Sequence, residues 1–233
     1  MTMRVENINA ANLENALRNT ILFASTDKTL PILNAVQVHA RDGEVTMNAT
    51  DRYVLGYARA QSTDETVIHE PGTVLLSVAD CKDLANALKA ERNRMDVTPV
   101  NLTYERENGK VTATFPWTGA QRTYLAVEGD YPKIRALFPD RVPSNPVAAP
   151  WAMSPKILKV IASLKDYRGR RGGVESVTFA PTENPSRPLP FMYGDWFRGL
   201  AMPIRLTDDV EDLAPAWMDT ARVPYGEAVS DAA

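Results

Sequence analysis

Histidine and cysteine are nearly missing from this chain: His39, His69 and Cys81 are all it has in 233 residues. One cysteine excludes an intrachain disulfide framework and suits a reducing cytoplasm. Cys81 falls on the apolar positions of a helical pattern, which assigns it to packing rather than to a reactive thiol. His39 in a strand and His69 beside a turn stand in no ligand spacing with each other or with Cys81, so no metal site is expected. A glycine-rich phosphate loop is also absent, since Gly169, Gly172 and Gly173 break a basic run and open no helix. There is no Gly-x-Ser-x-Gly elbow, and no spacing singles out a pair of carboxylates. Catalysis is therefore the weaker reading, with an enzyme built on carboxylates alone as its remaining form, and no cofactor is expected. Long apolar runs are missing as well. Nothing approaches a membrane span, and the first residues lack the basic-then-apolar pattern of a signal peptide. A charge excess of one sign is missing too: the formal net charge of −3 argues against a uniformly basic nucleic-acid binder.

What is present is repetition. Residues 13–18, Leu13-Glu14-Asn15-Ala16-Leu17-Arg18, return 71 positions later as Leu84-Ala85-Asn86-Ala87-Leu88-Lys89. Each copy lies in a segment with apolar residues at helical spacing: Leu13, Ala16, Leu17, Thr20 and Ile21 in one, Cys81, Leu84, Ala85 and Leu88 in the other. A hairpin signal follows each, Asp42-Gly43 and Asn108-Gly109. Residues 155–165 form a weaker third copy. A helix-then-hairpin unit used three times is a repeat architecture, and its alternating strands imply antiparallel sheet. The fold class is thus α+β. Hydrophobic content of 44% with 24% charged residues is ordinary for a soluble protein able to bury a core.

In order, the pattern predicts a strand over 3–9, a helix over 11–24 capped by Asn9, and a hairpin of 31–38 with 44–50. Strands follow at 53–60 and 72–78. The second unit is a helix over 79–91 with strands near 97–105, 110–116 and 121–127. Residues 129–150, with Pro132, Pro139, Pro143, Pro146 and Pro150, read as a linker rather than an element. The third unit is a helix over 154–166 with strands near 174–180, 189–193 and 197–206. Residues 207–233 hold seven acidic residues against Arg222 alone, so this tail carries −6 and the rest of the chain +3. The expected division is a pair of units over 1–140, a single unit over 141–206 and an acidic tail over 207–233.

The positive charge is placed by helix face. Lys82, Asn86 and Lys89 form one stripe opposite the apolar one, and Lys156, Lys159 and Ser163 form another. Arg18 matches Lys89 in the repeat, and Arg92, Arg94, Lys165, Arg168, Arg170 and Arg171 follow the second and third helices. On any one helix this is an ordinary solvated face. Repeated on equivalent faces, it describes a positive surface that holds phosphates without reading bases.

Two distant stretches remain, Asn48-Ala49-Thr50-Asp51-Arg52-Tyr53-Val54-Leu55 and Leu200-Ala201-Met202-Pro203-Ile204-Arg205-Leu206. The first resembles the Ala-Thr-Asp-x-x-x-Leu strand of the bacterial DNA polymerase III β subunit, the replicative sliding clamp. The second resembles the Met-Pro-x-Arg strand that closes that family's chain. Residues 30–34 and 129–137 match two further family stretches in the same order. The resemblance spans about residues 1–206 and implies a DNA-clamp fold: helices lining a ring around duplex DNA, sheets as the outer wall. It implies no enzymatic activity of its own. It also implies a groove for short peptides of DNA polymerase and other replication factors, here Leu33, Thr50, Arg52, Tyr53, Val54, Leu55, Pro132, Leu137, Met202 and Pro203. By helix face, Arg18, Lys82, Lys89, Arg92, Lys156 and Lys159 would face the DNA, and a clamp loader becomes a further partner.

The resemblance breaks in one place. The family carries three complete domains, whereas this chain matches one whole domain resembling the middle one and then half of another. Three such chains would form a homo-oligomer resembling smaller, phage-type clamps. The alternative is a monomeric clamp-like decoy that binds clamp-binding peptides without encircling DNA.

Overall fold

The computed structural model describes residues 2–61, 65–92, 98–139, 152–168, 176–182, 184 and 186–204. The expected linker core at 141–150, Arg94, Arg170, Arg171 and the acidic tail lie outside the described residues.

β1 (Thr2–Asn9) runs straight into α1 (Ala10–Ile21). Asn9 is extended, and its Oδ1 accepts the N–H groups of Ala11 and Asn12 at 2.9 and 3.2 Å, so it caps the helix as expected. β2 (Ala35–Arg41) and β3 (Glu44–Thr50) form a hairpin across Asp42-Gly43. Both turn residues have positive φ, 54° and 78°, the geometry that Asp-Gly supplies at little cost. β4 (Val54–Ala60), β5 (Val67–Glu70) and β6 (Gly72–Ser77) follow, then α2 (Val78–Arg92). The second unit continues with β7 (Pro99–Glu105), β8 (Lys110–Thr114) and β9 (Gln121–Leu125). The third unit is α3 (Pro155–Ala162), β10 (Val177–Phe179), β11 (Leu189–Tyr193) and β12 (Phe197–Ala201).

These strands make two antiparallel sheets, ordered β5-β1-β7-β8-β9 and β10-β11-β12-β4-β3-β2-β6. The α+β class is as expected, but the sheets do not follow the units. β1 leaves its own unit to pair with β7, and β6 returns to pair with β2. β12 of the third unit pairs with β4 of the first, in register Leu200↔Leu55 and Ala201↔Val54. One sheet therefore crosses the expected boundary between the unit pair and the single unit. β5 was not foreseen. Its exposed residues carry no alternating pattern, and Val67 and Ile68 are too few to signal a strand.

The main core lies under both sheets and takes in α1, α2 and α3. Leu13, Ala16, Leu17, Cys81, Leu84, Ala85, Leu88, Ile157 and Ile161 are all buried, as their spacing predicted. α1 differs from the other two helices by being buried nearly all round: Glu14, Asn15 and Asn19 have no more than 1% of their surface exposed. A helix buried on every side must find partners for its polar groups. Asn19 Nδ2 donates to the carbonyl of Lys165 at 2.8 Å, and its Oδ1 accepts the N–H of Lys165 at 2.9 Å. Asn15 Oδ1 accepts the N–H of Tyr167 at 2.8 Å. α1 is thus packed against α2 on one side and stitched to the segment following α3 on another.

Cys81 is fully buried, and burial, helped by neighbouring Asp80, pushes its thiol pKa well up. The thiolate is the reactive form. Cys81 is therefore expected to stay unmodified by Ellman's reagent in the native chain and to react once the chain is unfolded in urea; rapid native-state labelling would contradict this packing.

Candidate interaction groove and basic helix faces

The candidate groove begins at a tight turn between β3 and β4. Asp51 Oδ1 accepts the N–H groups of Tyr53 and Val54, both at 2.9 Å, and Thr50 Oγ1 accepts that of Arg52 at 3.1 Å. These bonds hold Arg52 at a φ of 84°, a left-handed conformation that a side chain adopts only under such constraint. Tyr53 is pushed outward, 61% exposed. The backbone N–H of Met202 then donates to the carbonyl of Tyr53 at 2.8 Å, extending the β4–β12 ladder by one bond. The two stretches singled out in the sequence are therefore direct neighbours, although 149 positions separate those two residues.

Beneath them lies a second apolar cluster, separate from the main core: Ala35, Leu55, Tyr57, Leu75, Tyr131, Ile134 and Leu200. Tyr131 reaches in from the segment between β9 and the turn at 134–137, its hydroxyl accepting the N–H of Thr50 at 3.0 Å, and burial raises its phenol pKa. Ile134 arrives on a single 3-10 turn, Ile134–Leu137, inside the stretch read as linker. That reading is corrected: five prolines over 129–150 masked an apolar pair, Tyr131 and Ile134, that docks on the sheet. Arg198 covers one end of the cluster, its guanidinium 4.9 Å from the Tyr57 ring centre and 5.4 Å from that of Phe138.

Among the expected groove residues, Leu55 is on the buried floor, Thr50 holds the turn, and Leu33 is half-buried in the loop before β2. Arg52, Tyr53, Pro132, Leu137 and Met202 are exposed around it, and Pro203 is half-buried. Val54 is a correction. Successive residues of a strand point to opposite faces, and Val54 lies 2% exposed in the main core while Leu55 faces the second cluster. Ile204, 52% exposed beside Met202, was not foreseen; its position one residue past Met202-Pro203 was the available signal.

The basic residues divide into two sets. Lys82, Lys89, Lys156 and Lys159 are exposed on α2 and α3. Arg18 and Arg92 are instead turned inward onto Glu14, whose side chain is 0% exposed: Arg18 Nε lies 2.7 Å from Oε1 and Arg92 Nε 2.9 Å from Oε2. Arg18 also donates to Asn86 Oδ1 at 3.0 Å and lies over the Tyr167 ring, and Arg92 donates to the carbonyl of Tyr167. Arg168 of the expected basic run is likewise engaged, with Asp166 at 2.6 Å and the Trp196 ring at 5.2 Å. Matching by helix face could not see this, because the acid that captures both arginines is a polar residue that the apolar pattern leaves out of the core, and it is buried.

The described residues form three helices and two antiparallel sheets, one of which runs across the boundary between units, and this is the fold shared with the solved sliding clamps. The DNA polymerase III beta subunit, N-terminal domain, is the family whose model matches, over residues 3–114. The beta sliding clamp of Micrococcus luteus is 30% identical over 144 residues, 61% of this chain and 42% of that one. The DNA polymerase III beta subunit of Thermotoga maritima matches in structure with a TM-score of 0.65 and 14% identity, over 88% of this chain and 66% of that one. The Pseudomonas aeruginosa sliding clamp solved with griselimycin matches equally, with a TM-score of 0.65 and 14% identity over the same shares. Over residues 3–114 the chain is thus similar to the N-terminal domain of the DNA polymerase III β subunit, and its fold is that of the solved clamps. It spans about two fifths of the curated relative from Micrococcus luteus and just under two thirds of the solved clamps. The matching domain is the family's N-terminal one rather than the middle one expected from the motifs. The contact between Tyr53 and Met202 does not depend on that assignment.

Proposed function

We propose that the chain is a DNA sliding clamp: a cytoplasmic, non-enzymatic processivity factor that encircles duplex DNA as a homo-oligomer, with a trimer favoured, and is placed there by a clamp loader. In this reading residues 1–140 are one clamp domain, residues 141–206 a partial one, and the exposed lysines of α2 and α3 face the DNA backbone. The polymerase and other replication factors are held through the groove. One observation carries the reading: Met202 and Tyr53 meet edge to edge over a closed apolar floor while their own side chains stay exposed. Exposed anchors over a preformed apolar slot are what a short peptide with Leu or Phe side chains requires.

The test is fluorescence anisotropy with a labelled clamp-binding peptide from a bacterial replicative polymerase. Met202→Glu places a charge where an apolar anchor would sit and is expected to weaken binding about 100-fold, the cost of stranding a desolvated carboxylate. Unchanged affinity in that variant removes the groove from the proposal. Light scattering on the same samples separates a ring from a monomeric decoy.

A further inference from the structure

The groove raises the question of what covers its exposed apolar rim when no partner is bound. Tyr53, Leu137, Met202 and Ile204 are among the nine most exposed large apolar residues described, and three of them flank a single strand end. The slot is also ready-made: the hydrogen bonds within residues 50–54 are complete without a partner. A second observation comes from the sequence. The chain leaves the groove at Ile204 and continues into residues 207–233, which lie outside the described residues. There, Leu213, Trp217 and Met218 are set among Asp208, Asp209, Glu211, Asp212 and Asp219. This is an apolar-anchored acidic peptide tethered at the mouth of an apolar slot.

We propose that residues 210–218 are the groove's resident ligand, so that a partner peptide binds only by displacing them. The proposal rests on the groove reading above and adds its regulation. Reach allows it: the nine residues from Ile204 to Leu213 span up to ~30 Å when extended. Tethering makes the encounter intramolecular, with an effective concentration on the order of millimolar for a short linker. Charge sets the direction. Arg52 and Lys133 are exposed at the groove, while the carboxylate of Asp51 is occupied by backbone N–H groups; Asp27, close to Arg52, offsets part of that charge. The cavity of about 1430 Å³ that Tyr57, Leu75 and Tyr131 also line is the wrong place for an acidic segment. Asp42, Glu44, Glu107, Glu128 and Asp130 line it against Arg41 and Arg106.

The experiment uses the full chain and a full chain carrying Leu213→Ser, Trp217→Ser and Met218→Ser, which alters no described residue. The labelled polymerase peptide is expected to bind the triple variant about tenfold tighter, as the intramolecular competitor is lost. An unlabelled synthetic peptide of residues 207–220 is expected to displace the probe from the triple variant. Equal affinity of the probe for both chains overturns the proposal, and so does a tail peptide that fails to compete. In either case, a probe that still binds and still loses affinity with Met202→Glu leaves the groove reading intact. A probe that binds neither chain overturns both.

Discussion

Phe23→Ala is expected to destabilise the chain by about 3–5 kcal/mol, the usual cost of removing a fully buried phenylalanine. Phe23 is 0% exposed and stands just after α1, within the unit pair. Its ring lies 5.2 Å from that of Phe197 and 6.0 Å from that of Phe191, both from the third unit. Two glycines make room for this cluster. A Cβ on Gly56 would lie 2.6 Å from the Phe23 ring, and one on Gly199 would lie 2.2 Å from Phe191 and 2.6 Å from the carbonyl oxygen of Leu55. The sheet is thinned at both positions, and aromatic rings fill the space. Because these rings come from both sides of the β4–β12 seam, their loss empties the joint between units rather than an isolated pocket. In urea unfolding followed by circular dichroism, the midpoint is expected to fall. The melting temperature should fall by roughly 6–20 °C at this chain length. Phe23→Leu should lose far less, because it keeps most of the buried volume. A variant as stable as the parent would show that the two sides of the seam are held together elsewhere.

That seam also marks how far the sequence could be read. The repeated helix was legible because its apolar residues recur at helical spacing, and all three helices stand where that spacing put them, with ends shifted by a few residues. The Asp42-Gly43 turn and the Asn9 cap were legible because their chemistry is local. The exchange of β1 and β6 between sheets was not, since pairing between distant strands leaves no mark in either strand alone. The meeting of Tyr53 and Met202 was legible only through motif resemblance. Alternation would have corrected one member of the expected groove, since Val54 and Leu55 cannot both face the slot. Tyr131 and Ile134 were missed because a proline-rich stretch reads as linker even where two apolar residues dock. The buried side of α1 was missed for the opposite reason. Glu14, Asn15 and Asn19 are polar residues that a pattern of apolar spacing assigns to solvent, and they are buried because residues 165–168 and two arginines arrive from elsewhere in the chain.

This last arrangement yields the second large effect. Replacing Arg18 and Arg92 together by alanine strands the Glu14 carboxylate without a cation in a site from which water is excluded, at a cost of about 3–5 kcal/mol. Each arginine alone is expected to cost less, because the other still faces the carboxylate, Arg18 at 2.7 Å and Arg92 at 2.9 Å. Adding Glu14→Gln to the double variant should restore part of the loss, since a neutral amide is cheaper to bury than an unpaired charge. That partial rescue separates charge from lost packing. The same variants bear on DNA. A lysine that contacts a phosphate steepens the salt dependence of binding, and its removal lowers the slope of log affinity against log salt by about 1. Lys82, Lys89, Lys156 and Lys159 are expected to behave this way and to leave stability nearly unchanged, as exposed side chains do. Arg18 and Arg92 are expected to do the reverse, with a large loss of stability and an unchanged salt slope under conditions where the variant remains folded. Should their removal flatten the slope and spare stability, the two arginines would be DNA contacts after all, and Glu14 would need another account of its burial.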